Sequence, residues 1–204
     1  MPVSYPDGIQ HEYFAVRNSA GLFDVSHMGE FFISGEGALN FLQKMTINNV
    51  SLLKVGEAQY SAMCYPHGGI IDDLILYRKE DGFFMVVNAS NIEKDFNWLQ
   101  EYLPASVHLE NRSDNISLIA LQGPDARKIL STITDDDLQM EFYTFTEEVA
   151  GGHSVMISRT GYTGELGFEI YGSQDAIVSI WQQLISAGAT PAGLAARDIL
   201  RMEM

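Results

Sequence analysis

The stretch GGIIDDLILYR, Gly68 to Arg78, decides how this chain is read. Two glycines lead into an apolar run that carries adjacent aspartates, Asp72 and Asp73. In a strand successive side chains point to opposite faces, so one aspartate joins the buried face and the other leaves it. A carboxylate among core residues is costly unless it is paired, hydrogen-bonded or employed. Asp73, set among apolar residues, is expected to be the inward carboxylate, and the run alone leaves open whether either aspartate is employed. Asp72 is expected to face outward, with a solvated or capping role.

Working outward, the run is the middle of a meander. AQYSAMCY (58–65) precedes it across Pro66-His67-Gly68-Gly69, and FFMVVN (83–88) follows it across Glu80-Asp81-Gly82. These are two successive hairpin signals. After Asn88 to Asn91, Ile92, Phe96, Leu99 and Leu103 make a helical stripe that Pro104 ends. Upstream, residues 9–19 read as a short helix, LFDVSHMGEFFISG as strand, and ALNFLQKM as a helix with Leu39, Leu42 and Met45 on one face.

Downstream, Ser106–Glu110, ISLIALQG (116–123), Phe142–Val149, His153–Arg159 and Glu165–Tyr171 read as strands. A short helix follows Pro124, and Ser173 caps another that carries Ile177, Trp181 and Leu184. Leu194 to Met204 is helical again and stops without a cap, which reads as a cut chain. The order predicts an α+β fold, antiparallel sheets with flanking helices, and a structural duplication near residue 113 with no matching sequence repeat.

Composition removes several classes. The 204 residues are 46% hydrophobic and 19% charged, enough for a sizeable core. A net charge of −15 repels phosphate backbones, so nucleic-acid binding is not expected. No apolar run reaches membrane-span length, and MPVSYPDGIQ lacks the pattern of a secretory signal. The single cysteine, Cys64, rules out an internal disulfide and suits a reducing compartment. His11, His27, His67, His108 and His153 are scattered, so no metal is expected. Neither a phosphate loop nor a dinucleotide fingerprint occurs.

Two further stretches carry chemistry. In SRTGYTGELGFEIY (158–171), Gly161 and Gly164 permit positive φ, and Tyr162 is held at a hairpin tip, where an aromatic needs something to pack on. Glu169 lies between Phe168 and Ile170 and faces opposite to both. In AGLAARDILRMEM (192–204), Arg197 sits among alanines that leave room for a ligand, while Asp198 can pair with Arg201 at i,i+3.

Taken together, LFDVSHMGE, GGIIDDL, VVNASNIEKD, ALQGP, SRTGYTGELGFEIY and AGLAARDILRMEM resemble the aminomethyltransferase family, the T-protein of the glycine cleavage system. The resemblance implies a two-subdomain folate-binding core over 1–204, with subdomains 35–112 and 1–34 plus 113–204. It also implies that family members begin upstream of MPVSY and continue past LRMEM into a C-terminal β-barrel absent here. It implies an enzyme that takes the aminomethyl group from the lipoyl arm of the H-protein, uses tetrahydrofolate as acceptor, and works in the cytoplasm without membrane or nucleic-acid partners. Asp73 maps to the family's catalytic aspartate. Glu169 maps to the pterin-binding glutamate, Tyr162 to the tyrosine of the folate pocket, Asn88 to the asparagine near the pterin, Arg197 to the cofactor-contacting arginine, and Met28 to a pocket-wall methionine. Tyr60 is a positional assignment. A related folate-binding family with a lysine-glycine-cysteine-tyrosine signature is disfavoured, because Arg159-Thr160-Gly161-Tyr162 stands in that place. A folate-binding regulator or assembly factor that kept the pocket, and a folate-dependent demethylase, are the alternatives. Retention of Asp73 favours the enzyme.

Overall fold

In the computed structural model, residues 2–135 and 137–203 are described. The chain divides into two compact units, Met1–His27 with Ile116–Met204, and Met28–Asn115. In chain order the elements of the first half are α1 (Ile9–Asn18), β1 (Gly21–Asp24), β2 (Gly29–Ser34), α2 (Ala38–Met45), β3 (Ala58–Cys64), β4 (Ile70–Arg78), β5 (Phe83–Val87), α3 (Ile92–Glu101) and β6 (His108–Asn111). The second half adds β7 (Ser117–Gln122), α4 (Ala126–Leu130), β8 (Phe145–Ala150), β9 (His153–Ser158), β10 (Gly167–Gly172), α5 (Gln174–Ser186), β11 (Thr190–Pro191) and α6 (Leu194–Met202).

The unit over Met28–Asn115 is built on a five-stranded sheet of order β3-β4-β5-β2-β6, antiparallel throughout. Its core joins Phe31 and Ile33 of β2, Leu74 and Leu76 of β4 and Met85 and Val87 of β5 to Phe41 and Leu42 of α2 and Leu99 of α3. Each such side chain contributes roughly 1.5–3 kcal/mol on leaving water. The expected meander is therefore present, with its helices covering one sheet face.

The other unit carries a six-stranded sheet of order β11-β1-β7-β10-β9-β8. It departs from the antiparallel expectation at one edge, where two-residue β11 runs parallel to β1. Leu22, Ile119, Leu121, Phe168, Ile170, Val155 and Ile157 meet Ile129 and Leu130 of α4 and Ile177, Ile180 and Leu184 of α5. The Ser173 side chain accepts from the Ala176 N–H and caps α5 as the sequence predicts. Helix α1 packs on α6, where Glu12, fully buried, accepts from the backbone N–H groups of Tyr5 and Gly193.

Two strands are shorter or later than expected. β6 begins at His108, because Val107 N–H closes a turn on Pro104. β8 begins at Phe145, because Tyr143 adopts φ 63° in the turn before it. α6 ends at Met202, and Met204 lies outside the described residues.

Glu30 of β2 is the exception to the core's chemistry. It is fully buried, faces away from Phe31 and Ile33, and neither carboxyl oxygen has a hydrogen-bond partner among the described residues. Burial pushes its carboxyl up to about 8. The native chain thus binds a proton here that the unfolded chain releases above its ordinary carboxylate range. Stability is unpenalised at low pH and falls as pH rises toward that value. Glu30→Gln is expected to gain on the order of 1–3 kcal/mol at pH 8 and almost nothing near pH 4, read by urea denaturation at the two pH values.

Candidate functional site

The aspartates of β4 are the reverse of the expected arrangement. Asp72 is 5% exposed and Asp73 is exposed. Alternation places Asp72 with Leu74 and Leu76 on the face packed into the core, and a bulge then adds Ile71 to it. Ala62 pairs with Asp73 and Met63 with Asp72, but Cys64 pairs with Ile70, so Ile71 has no counterpart on β3. The extra residue lets Ile71 turn inward beside Asp72, Leu74 and Leu76, although its place in strict alternation is with Asp73. Asp73 is left on the opposite face with Ile75.

Asp72 is held as an ion. It accepts from the Asn88 backbone N–H at 3.1 Å, the Asn88 side-chain amide at 3.0 Å and the Asn91 amide at 2.8 Å. Burial alone would raise its carboxyl, but bonds from Asp95, Asn88 and Asn91 outweigh burial and bring it below the ordinary value. Asp73 accepts from the Tyr60 hydroxyl at 3.0 Å and from the Asn88 amide at 2.9 Å. That amide also lies 3.2 Å from the Asp73 carbonyl. One NH₂ group has two protons, so Asn88 spans both aspartates with neither to spare. Tyr60, 51% exposed, and Asp73 together present a phenol and a carboxylate to solvent. Met28, half-buried, immediately precedes β2, next to the Gly29–Val87 pair. In this unit, then, hydrogen bonds join Tyr60, Asp73 and Asn88.

In the unit formed by Met1–His27 and Ile116–Met204, Glu169 of β10 faces away from buried Phe168 and Ile170, as its position in the strand predicts. Its carboxylate accepts from the Thr160 hydroxyl and from the Tyr171 hydroxyl at 3.3 Å. Thr160 Oγ1 lies 2.9 Å from Ser158 Oγ; with its own proton on Glu169, it accepts there. Tyr162, 43% exposed, carries the Arg197 guanidinium 4.4 Å from its ring centroid. Its hydroxyl reaches Arg201, which also pairs with Asp198 at 3.4 Å. The partner that Tyr162 requires at a hairpin tip is thus supplied by α6.

Several positioning residues escape sequence reasoning. Gln122, inside the ALQGP motif, is buried, donates to the Thr160 carbonyl at 3.3 Å and accepts from Thr163 Oγ1 at 2.9 Å. It fills the space beside Gly161, where a Cβ would stand 2.1 Å from its Oε1. Gly161 is therefore needed for room rather than for positive φ; Gly164, at φ 77°, keeps the expected reason. Arg17 of α1 donates to the Thr163 carbonyl at 2.9 Å and pairs with Glu165 at 2.8 Å and Glu203 at 2.7 Å. Tyr143, in its left-handed conformation, has its phenol pushed up by burial and by the Glu169 carboxylate. A motif match marks none of these, since each acts on a partner distant in sequence.

Among the described residues no group of three or more His, Cys, Asp or Glu is placed to hold a metal ion, and no helix is long and apolar enough to cross a membrane. The architecture is thus an α+β domain of two sheet-and-helix units, one presenting a phenol-carboxylate-amide constellation and the other a carboxylate and a stacked arginine.

With that geometry in place, the chain belongs to the GCVT N-terminal domain family, whose pattern matches residues 1–204. It is 53% identical over 209 residues to the aminomethyltransferase of Halothermothrix orenii and 49% identical over 210 residues to that of Bacillus subtilis. Each alignment covers 100% of this chain and 58% of the relative, so the chain spans little more than half the length of these curated relatives. The crystal structure of glycine cleavage system aminomethyltransferase T from Bartonella henselae matches 100% of this chain and 56% of its own, with a TM-score of 0.91 at 36% identity.

Asp72→Asn places an NH₂ group against N–H donors in a buried site and should cost roughly 1.5–3 kcal/mol of stability. Asp73→Asn, at an exposed position, should cost under about 1 kcal/mol. Urea denaturation of the two variants checks the order.

Proposed function

We propose that this chain is the folate-binding part of a tetrahydrofolate-dependent aminomethyltransferase, with residues 1–204 forming one domain of two subdomains. The aminomethyl group comes from the lipoyl arm of the H-protein, and the products are 5,10-methylenetetrahydrofolate, ammonia and the dihydrolipoyl arm. The setting is the cytoplasm, without nucleic acid or membrane. Family membership and the relatives' shared name support this reading. The observation that carries it is Asp73, an exposed carboxylate held in place from two sides by Tyr60 and Asn88.

The donor set suits a reduced pterin. A flat ring with an N–H edge asks for a fixed carboxylate acceptor, and Glu169, oriented by Thr160 and Tyr171, is one. Arg197, held over the Tyr162 ring, is a cation for the ligand's anionic groups. Met28 supplies an apolar wall. When bound, tetrahydrofolate supplies the amine that accepts the one-carbon unit. Asp73 stabilises the positive charge that develops at that carbon as ammonia leaves, and orients the reacting amine. Because Tyr60 and Asn88 fix the carboxylate beforehand, little reorganisation accompanies the step.

Asp73→Asn is expected to bind tetrahydrofolate within a few-fold of wild type but to lose about a hundred- to a thousand-fold in turnover. The assay is methylenetetrahydrofolate formation from aminomethylated, lipoyl-bearing H-protein by the full-length polypeptide. Near wild-type turnover would replace the catalytic reading with that of a folate-binding module. Arg197→Ala should weaken tetrahydrofolate binding, measured by calorimetry, by roughly 1.5–3 kcal/mol, against about 0–1 for Arg201→Ala at its exposed ion pair.

A further inference from the structure

Asp95, in the first turn of α3, is fully buried, and neither of its carboxyl oxygens has an N–H or O–H donor among the described residues. What it does have beside it is the buried carboxyl of Asp72. Two carboxylates in contact repel, whereas one shared proton turns the contact into a hydrogen bond. The remaining neighbours decide which of the two keeps it. Asp72 is surrounded by donors from Asn88 and Asn91. Among the described residues the cation paired with Asp95 is Lys94 on the same helix, which stands 3.9 Å away and spends a proton on the Ile71 carbonyl at 2.5 Å. Asp73, from β4, adds only further negative charge.

We propose that Asp95 is a positioning residue that remains protonated at neutral pH and donates its proton to Asp72, so that the pair carries a single charge which fixes Asn88 and, through its amide, the Asp73 carboxylate. The chain of contacts runs from the buried acid on α3 to the exposed carboxylate on β4 without a gap. Its charge state follows the same physics: burial first, then the Asp72 bond and charge, push the Asp95 carboxyl up to about 8. Above that pH the pair becomes doubly negative, Asp72 is driven from its seat, and Asn88 loses the anchor that aims it. The effect on turnover rests on the folate reading of Asp73; the protonation state does not.

Two measurements separate the two. A carbon-13 NMR titration of side-chain carboxyls in the wild-type chain, labelled at aspartate, should show one aspartate still protonated at pH 7, ionising near pH 8, and absent from Asp95→Asn. Ionisation of every aspartate below about pH 5 overturns the proposal. In turnover by the full-length polypeptide, Asp95→Ala should lose about tenfold to a hundredfold in kcat with KM nearly unchanged, because a reacting group is misaimed rather than removed. Asp95→Asn, whose amide still donates to Asp72, should stay within a few-fold of wild type at pH 7 and hold its rate above pH 8, where wild type declines. Equal impairment of the Asn and Ala variants overturns the positioning role. Absence of turnover in the wild type as well removes the folate reading, and the NMR titration still decides the state of Asp95.

Discussion

A buried carboxylate must be surrounded by donors, and at Asp72 the chain meets that demand with the segment that follows β5. The Asn88 backbone N–H, the Asn88 amide and the Asn91 amide all converge on it. A carboxylate taken from water without such partners costs several kcal/mol, more than any single apolar contact nearby returns. The strand end, the turn after β5 and the first turn of α3 are therefore placed together or not at all. Asp73 inherits its position from this anchor: Asn88 cannot face Asp72 without also facing Asp73.

In the unit that contains Glu169 the organising constraint is close approach. Gln122 lies so near the backbone of the 158–167 segment that a Cβ at Gly161 or Gly167 would come within 2.3 Å of its amide and displace that buried, hydrogen-bonded group. The buried amide then bonds to Thr160 and Thr163, and Arg17 closes the far side of the turn through Thr163 and Glu165. Tyr162 projects from a turn held at both flanks. Its ring is a platform for Arg197, and the Thr160 hydroxyl on the same turn orients Glu169. Rigid backbone under exposed side chains is what a ligand-binding surface needs, because the entropy of ordering is already spent before a ligand arrives.

Much of this was readable from the residues alone. Alternation and turn chemistry at Pro66-His67-Gly68-Gly69 and at Glu80-Asp81-Gly82 suffice for the meander, since hairpin signals are local. The stripe from Ile92 to Leu103, the Ser173 cap, the Asp198–Arg201 pair and the outward face of Glu169 likewise depend on neighbours within one turn or one strand. The two carboxylates of GGIIDDL were also evident as a pair that points to opposite faces.

What the residues could not show is which aspartate faces which way. Alternation sorts Asp72 with Leu74 and Leu76 and Asp73 with Ile75 and Tyr77, but both sets are apolar, so which face packs on the helices is decided by tertiary structure. The bulge that adds Ile71 to the inner face belongs to the pairing of β3 with β4 rather than to either sequence. The shared proton of Asp72 and Asp95 is hidden for the same reason: it exists only once a helix and a strand separated by some twenty residues bury their carboxyls together. Composition, periodicity and capping determined the elements and their order. The inward turn of Asp72, the aim of Asp73, the room at Gly161 and the platform under Arg197 were decided by packing, where the energy of a side chain depends on what the rest of the chain has brought beside it.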